Sequence, residues 1–227
     1  MQKKFIPAAV LFVILLVLIA HFGARLTIVP TFTYADEEKR VYLTFDDGPS
    51  TVVTNAVLDI LEDEGVKATF FVVGARVHGR EETLKRIADE GHTIGVHSNT
   101  HEYKKIYASE KNFLEDVDAC EAIIKKVAGV TPRVYRFPGG GLSNEEKYTP
   151  LVEERGYQVV RWNAVSGDAE ISNATTEFLV QRAINTAKGK RLVVLLMHDS
   201  ASNFNTANAL PEIIAYFRAE GYVFCAY

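Results

Sequence analysis

The stretch Val41–Val73 reads VYLTFDDGPSTVVTNAVLDILEDEGVKATFFVV, and its order of patterns decides the fold class. A short apolar run, VYLTF, is followed by the turn formers Asp46, Asp47, Gly48 and Pro49. An amphipathic stretch from Thr54 then ends at Gly65, where glycine is suited to close a helix, and a second apolar run, ATFFVV, begins at Ala68. Strand, helix and strand in so few residues read as a crossover between parallel strands.

The pattern recurs along the chain. HTIGV (92–96), RVYRF (133–137), YQVVRW (157–162), RLVVLLM (191–197) and YVFCAY (222–227) read as further strands. Helical patterns occupy 81–91, 109–129, 176–189 and 209–221, each closed by glycine. No glycine-rich dinucleotide fingerprint follows the first strand, so the expectation is an α/β barrel-like sheet of about seven parallel strands, with residues 38–227 as one unit.

Composition narrows the function. The 227 residues are 48% hydrophobic and 24% charged, with a net charge of -4. That balance suits a folded domain with a sizeable core and gives no basic patch for nucleic acid. Cys120 and Cys225 lack metal-type spacing. Buried free thiols are the expectation, with a bridge left open. At the N-terminus Lys3 and Lys4 precede the uncharged run Phe5–Ala24, which is long enough to span a bilayer. The flanking lysines place the N-terminus in the cytoplasm. Residues 1–25 are therefore read as a membrane anchor or a cleaved signal peptide, and residues 26–37 as a connector. Either reading exports the remainder.

In such a barrel, functional groups collect at the C-terminal ends of strands. Asp46 and Asp47 follow VYLTF, HSNTH (97–101) continues from TIGV, RVYRF contains Arg136 and leads into Pro138–Gly139, and His198 closes RLVVLLM. On one helical turn His97 and His101 would lie on the same side, about 5 to 6 Å apart at their β-carbons. Two histidines with Asp47 make an open metal site with room for water and substrate. Adjacent carboxylates on a regular strand point to opposite faces, so Asp46 and Asp47 are expected to divide two tasks.

TFDDGPS, HSNTH, RFPGG and LLMH occur in this order and together resemble the polysaccharide deacetylases, across essentially all of the exported part. The resemblance implies a distorted, incomplete (β/α) barrel and metal-dependent hydrolysis of N-acetyl groups on amino sugars. It casts Asp46 as general base, Asp47, His97 and His101 as metal ligands, and Arg136 as the group that orients the base. Pro138 and Gly139 resemble the segment that lines the groove and offers a backbone N–H to the oxyanion. Leu196 and His198 match the motif supplying the acetyl pocket and the general acid. One divalent ion is implied, Zn²⁺ first, with Co²⁺, Mn²⁺ and Ni²⁺ as alternatives.

The chain departs from the family in one motif. Where members carry Asp-x-x-Asp-Trp, this sequence has Val165, Asp168 and Ala169. Val165 removes the carboxylate expected to support His198, leaving Asp168 or Asp199 as substitutes, and Ala169 removes an aromatic wall, which implies a more open groove. Gly139 stands where members often have Tyr. Trp162 and Asp168 are kept as candidates without an assigned role.

The expected partner is cell-wall glycan, peptidoglycan foremost, met by a monomeric exported domain. A chitooligosaccharide deacetylase, a glycan-binding descendant without catalysis and a hydrolase of small amides or esters are the rivals. An intact base and ligand set speaks against a pure binding module.

Overall fold

The computed structural model describes residues 38–140 and 145–227. The expected membrane segment and connector lie outside the described residues, among which no helix is long and apolar enough to cross a bilayer. Eight strands follow in chain order: β1 (Arg40–Asp46), β2 (Thr69–Val73), β3 (Thr93–Ser98), β4 (Val134–Tyr135), β5 (Gln158–Val159), β6 (Ala164–Val165), β7 (Leu192–His198) and β8 (Val223–Cys225). The helices are α1 (Val53–Asp63), α2 (Glu81–Asp89), the single turn α3 (Tyr103–Ile106), α4 (Glu110–Ala128), α5 (Glu145–Glu153), α6 (Thr176–Ala187) and α7 (Phe204–Ala219).

Every strand pairing is parallel, in the order β5-β4-β3-β2-β1-β7-β6, with β8 beside the start of β1. Laid flat, the six interstrand spacings from β5 to β6 would measure about 29 Å. Yet β5 and β6 are joined by residues 160–163 alone, a link that reaches at most about 18 Å. The sheet therefore has to curl until its two edges approach. No pairing joins them, so the barrel is incomplete, as expected.

The sequence reading missed β6, α3 and α5, and counted seven strands where eight are described. β6 is two residues long, held by Asn163 and Ser166 donating to the carbonyls of Val194 and Leu196 on β7. Too short for an apolar period, it leaves no pattern to read. α5 carries Pro150 at its sixth position, and proline inside a helix removes a donor and disfavours the preceding residue. The structure accommodates it in the second turn, where its carbonyl still accepts from the Glu154 N–H at 2.9 Å.

Strand parity sorts the core. Val41, Leu43 and Phe45 of β1 and Val193, Leu195 and Met197 of β7 are buried in the layer under the helices. Their alternates face the barrel interior, where Phe71, Val134, Val160 and Val194 pack with Tyr42, Trp162 and Tyr227. The same parity turns Asp46 and His198 inward, and the register places them opposite each other across β1 and β7. Gly95 of β3 is required by this packing, because a β-carbon there would come within 2.6 Å of the Phe71 ring.

Both cysteines are free, Cys120 fully buried on α4 and Cys225 partly exposed on β8. Burial pushes the Cys120 thiol up to about 12, which removes the thiolate needed for reaction. In native buffer a thiol reagent is expected to titrate Cys225 alone, with the second equivalent appearing only in denaturant. Two fast equivalents in the native protein would contradict the buried placement.

Candidate active site

The end of β1 builds the centre. Asp46 is the last strand residue and Asp47 follows with φ of 75°, a left-handed conformation that aspartate adopts more readily than most residues. The alternation expected of adjacent residues thus stops at Asp47. Both carboxylates line one cavity of about 630 Å³, so the two roles are separated by the neighbours of each carboxylate rather than by opposite faces.

Asp46 is 3% exposed, and its Oδ1 accepts a hydrogen bond from Arg136 Nη1 at 2.8 Å. Arg136 is fully buried in the barrel interior, where Nη1 also donates to Thr44 Oγ1 at 2.8 Å and Nε donates to the Val160 carbonyl at 3.2 Å. Its guanidinium lies 4.2 Å from the Phe71 ring centroid and 5.6 Å from that of Trp162. Packed this way, the cation holds Asp46 in one orientation.

His97 closes toward Asp47 from β3, and His101 from the loop beyond it. The expected helical turn is absent: His97 is a strand residue and His101 has φ of 59°. The pair is instead brought together by Asp116 of α4. Its carboxylate accepts from Ser98 Oγ, the Asn99 and Thr100 N–H groups and Thr100 Oγ1, at 2.8–2.9 Å. Ser98 Oγ in turn accepts from the His101 N–H at 2.8 Å. The sequence reading missed Asp116, whose signal was a carboxylate on the buried face of α4, among Phe113, Val117 and Cys120.

Asp47 Oδ1 lies 3.0 Å from His101 Nε2 and 3.7 Å from His97 Nε2. Ligand atoms of Asp47, His97 and His101 all fall within 4.8 Å of one another. The Arg136 carbonyl, 2.8 Å from His97 Nδ1, requires that nitrogen to be the donor, which leaves the Nε2 lone pair facing the carboxylate. Asp47 Oδ1 is buried without a hydrogen-bond donor. Acceptor atoms converging on an unsatisfied carboxylate oxygen fit a cation. Burial opposes ionisation of Asp47, but the His101 contact, the two neighbouring imidazoles and the Arg76 charge outweigh it and hold its carboxyl well below the usual range.

Across the cavity His198 has a carboxylate partner after all. Asp168 Oδ1 lies 2.8 Å from His198 Nδ1, and Oδ2 accepts from the His198 N–H at 2.7 Å and from Thr206 Oγ1 at 2.8 Å. Of the two substitutes left open by Val165, Asp168 at the second position of the motif supplies the support. Asp199 turns the other way, accepting from Thr54 Oγ1 of α1 at 2.6 Å. Burial disfavours the charged imidazole, but the hydrogen bond and charge of Asp168, with Asp46 and Asp47 adding, raise His198 to about 9.

Leu196 and Gly139 line the cavity. Pro138 is buried behind it, its carbonyl 3.2 Å from the Tyr107 hydroxyl; proline has no N–H, so a backbone donor in this segment falls to Gly139. Two aromatic rings stand where the sequence lacked them. A β-carbon on Gly139 would lie 3.2 Å from the Tyr103 ring, and one on Gly140 2.8 Å from the Trp162 ring. Both rings line the cavity.

A family model described as "Polysaccharide deacetylase" matches residues 33–160. A peptidoglycan-N-acetylglucosamine deacetylase of Bacillus cereus is 32% identical over 195 residues, 86% of this chain and 89% of the relative. The peptidoglycan-N-acetylmuramic acid deacetylase PdaC of Bacillus subtilis is 35% identical over 84% of this chain, which spans 38% of that longer protein. The crystal structure of the catalytic domain of a peptidoglycan N-acetylglucosamine deacetylase from Eubacterium rectale superposes with a TM-score of 0.78 at 34% identity, covering 85% of this chain and 90% of that one. With a family match over more than half its length and relatives a third identical across most of it, the chain belongs to the polysaccharide deacetylase family.

Proposed function

We propose that the protein removes N-acetyl groups from the amino sugars of peptidoglycan by metal-dependent hydrolysis. The observation that carries this reading is the buried Asp47 oxygen facing two imidazoles, with the Arg136-held Asp46 beside it and the Asp168-held His198 across the same cavity. Asp47, His97 and His101 would hold one divalent ion, Zn²⁺ first given a two-histidine, one-carboxylate set. When bound, the ion supplies a Lewis acid that polarises the acyl carbonyl and acidifies water.

Asp46 accepts the proton of the attacking water, and the hydrogen bond from Arg136 keeps it aimed. The Gly139 N–H is the backbone donor for the tetrahedral oxyanion. His198 delivers its Nε2 proton to the departing nitrogen, with Asp168 fixing the proton on Nδ1 and stabilising the imidazolium. The purely glycan-binding alternative drew on Val165 and Ala169, and Asp168, paired with His198, answers the first of them. We further propose a monomeric domain outside the cell, attached to the membrane through Phe5–Ala24.

Purified protein is expected to release acetate from peptidoglycan, to stop on chelation, and to recover when one equivalent of Zn²⁺ is restored. Absence of acetate with every divalent ion tried would reject the catalytic reading.

A further inference from the structure

An N-acylated glycan presents two parts to a hydrolytic centre: a long polar polymer and a short apolar acyl tail. The main cavity is rimmed by Ser172, Asn173, Ser200, Ser202 and Asn203, groups suited to sugar hydroxyls. A second hollow of about 230 Å³ adjoins it, sharing Trp162, Asp168, Ala169, Leu196 and His198 with the first. The wall it adds includes Val165 of β6, which pairs with Leu196 of β7. Its two carboxylates already have partners: Asp168 is committed to His198 and Thr206, and Glu170 is held by Arg182 at 3.0 and 3.1 Å.

An acetyl methyl is a small occupant for such a space, since an apolar cavity of about 150 Å³ takes up benzene. What opens it is Ala169, a methyl side chain in the wall beside His198. Trp162 lines both hollows, its ring tip lodged over Gly140.

We propose that this hollow is an enlarged acyl pocket, and that the protein hydrolyses N-propionyl and N-butyryl amino sugars as well as N-acetyl ones. The inference rests on the deacetylase reading and extends its substrate class. Water adds across the amide C–N bond, the oxygen going to the acyl carbon and the proton to nitrogen. The products are the free amine with propionate or butyrate, and no further reactant is needed.

The test uses soluble peptidoglycan strands, N-deacetylated and re-acylated with acetic, propionic or butyric anhydride, with the full chain supplied with Zn²⁺ and released acid measured by mass spectrometry. Expected kcat/KM values for propionyl and butyryl strands lie within about tenfold of acetyl, because methylenes that find apolar room are not rejected. Ala169→Trp fills the hollow and is expected to lower the butyryl-to-acetyl ratio by about tenfold or more. Val165→Phe fills it from β6 and serves if the first variant does not fold.

A binding measurement is independent of turnover. Trp162 is the chain's single tryptophan, so its emission in the Asp46→Asn protein is expected to change more with butyryl than with acetyl strands. Release of the longer acids below about one hundredth of acetate release, at the far end of the 10–200-fold that one methylene commands in a tight pocket, would overturn the acyl-pocket proposal and leave the deacetylase reading standing. No acid from any strand would overturn the deacetylase reading itself.

Discussion

Asp46→Asn lowers acetate release by about 10²–10⁴-fold, the usual contribution of a positioned general base, while the protein remains folded. Asparagine keeps the shape and an oxygen for Arg136 but has no affinity for a proton. The substitution also leaves the fully buried Arg136 without its carboxylate. Breaking a buried pair from one side costs about 3–5 kcal/mol, and at about 2–4 °C per kcal/mol a melting point lowered by roughly 10 °C follows. The introduced asparagine still accepts a hydrogen bond, so the loss falls toward the lower end. Arg136→Met strands the opposite charge and is destabilising in its turn. Combining the two removes both charges from the barrel interior. The double variant is therefore expected to melt above either single variant while releasing no acetate. Thermal unfolding followed by circular dichroism, alongside the acetate assay, separates the effects. A double variant that melts below both singles, or an Asp46→Asn protein with native turnover, would overturn this account of the pair.

The parts of the molecule written in contiguous patterns were legible in the sequence. β1, β2, β3 and β7 are apolar runs of five to seven residues, and the glycines that close helices marked their lengths. The motif residues fell at strand ends because parallel topology puts those ends together. What escaped is held by distant contacts. β6 exists because two residues pair with β7, and no local propensity announces it. The His97–His101 geometry depends on Asp116, some fifteen residues or more downstream, so a spacing of four invited a helical explanation that the loop does not use. The support of His198 stayed open between Asp168 and Asp199 for the same reason. Sequence position marked Val165 as a loss, whereas the tight turn through Gly167, with φ of 81°, carries Asp168 back beneath the imidazole. The aromatic walls follow this rule too, since Gly139 and Ala169 read as losses until the rings of Tyr103 and Trp162 are found lining the same cavity.

Asp168→Asn is the substitution that isolates this last group, and it is expected to lower acetate release by about 10²–10³-fold at pH 8 while moving the pH profile. Asp168 accepts three hydrogen bonds, whereas asparagine offers a single oxygen and presents an NH₂ to one side. The imidazole loses both its fixed tautomer and the charge that favours its protonated form. In the native protein His198, raised to about 9, is charged and able to donate throughout the neutral range, and activity falls only as pH passes about 9. Burial remains in the variant and favours the neutral ring, so the alkaline fall moves down toward the ordinary histidine value of about 6.5. At pH 8 that shift alone removes about 97% of the acid form; misorientation accounts for the rest.

The stability consequence has a definite sign. His198 has a folded pKa above its unfolded one, so its pairing stabilises the fold fully below about pH 6.5 and progressively less as pH rises through about 9. The difference in unfolding free energy between native and variant protein, at most about 3 kcal/mol from this source, should therefore shrink between pH 7 and pH 10. An alkaline fall unchanged by the substitution would show that another group donates the proton, and a stability gap that widens with pH would show that His198 is not the charge Asp168 holds.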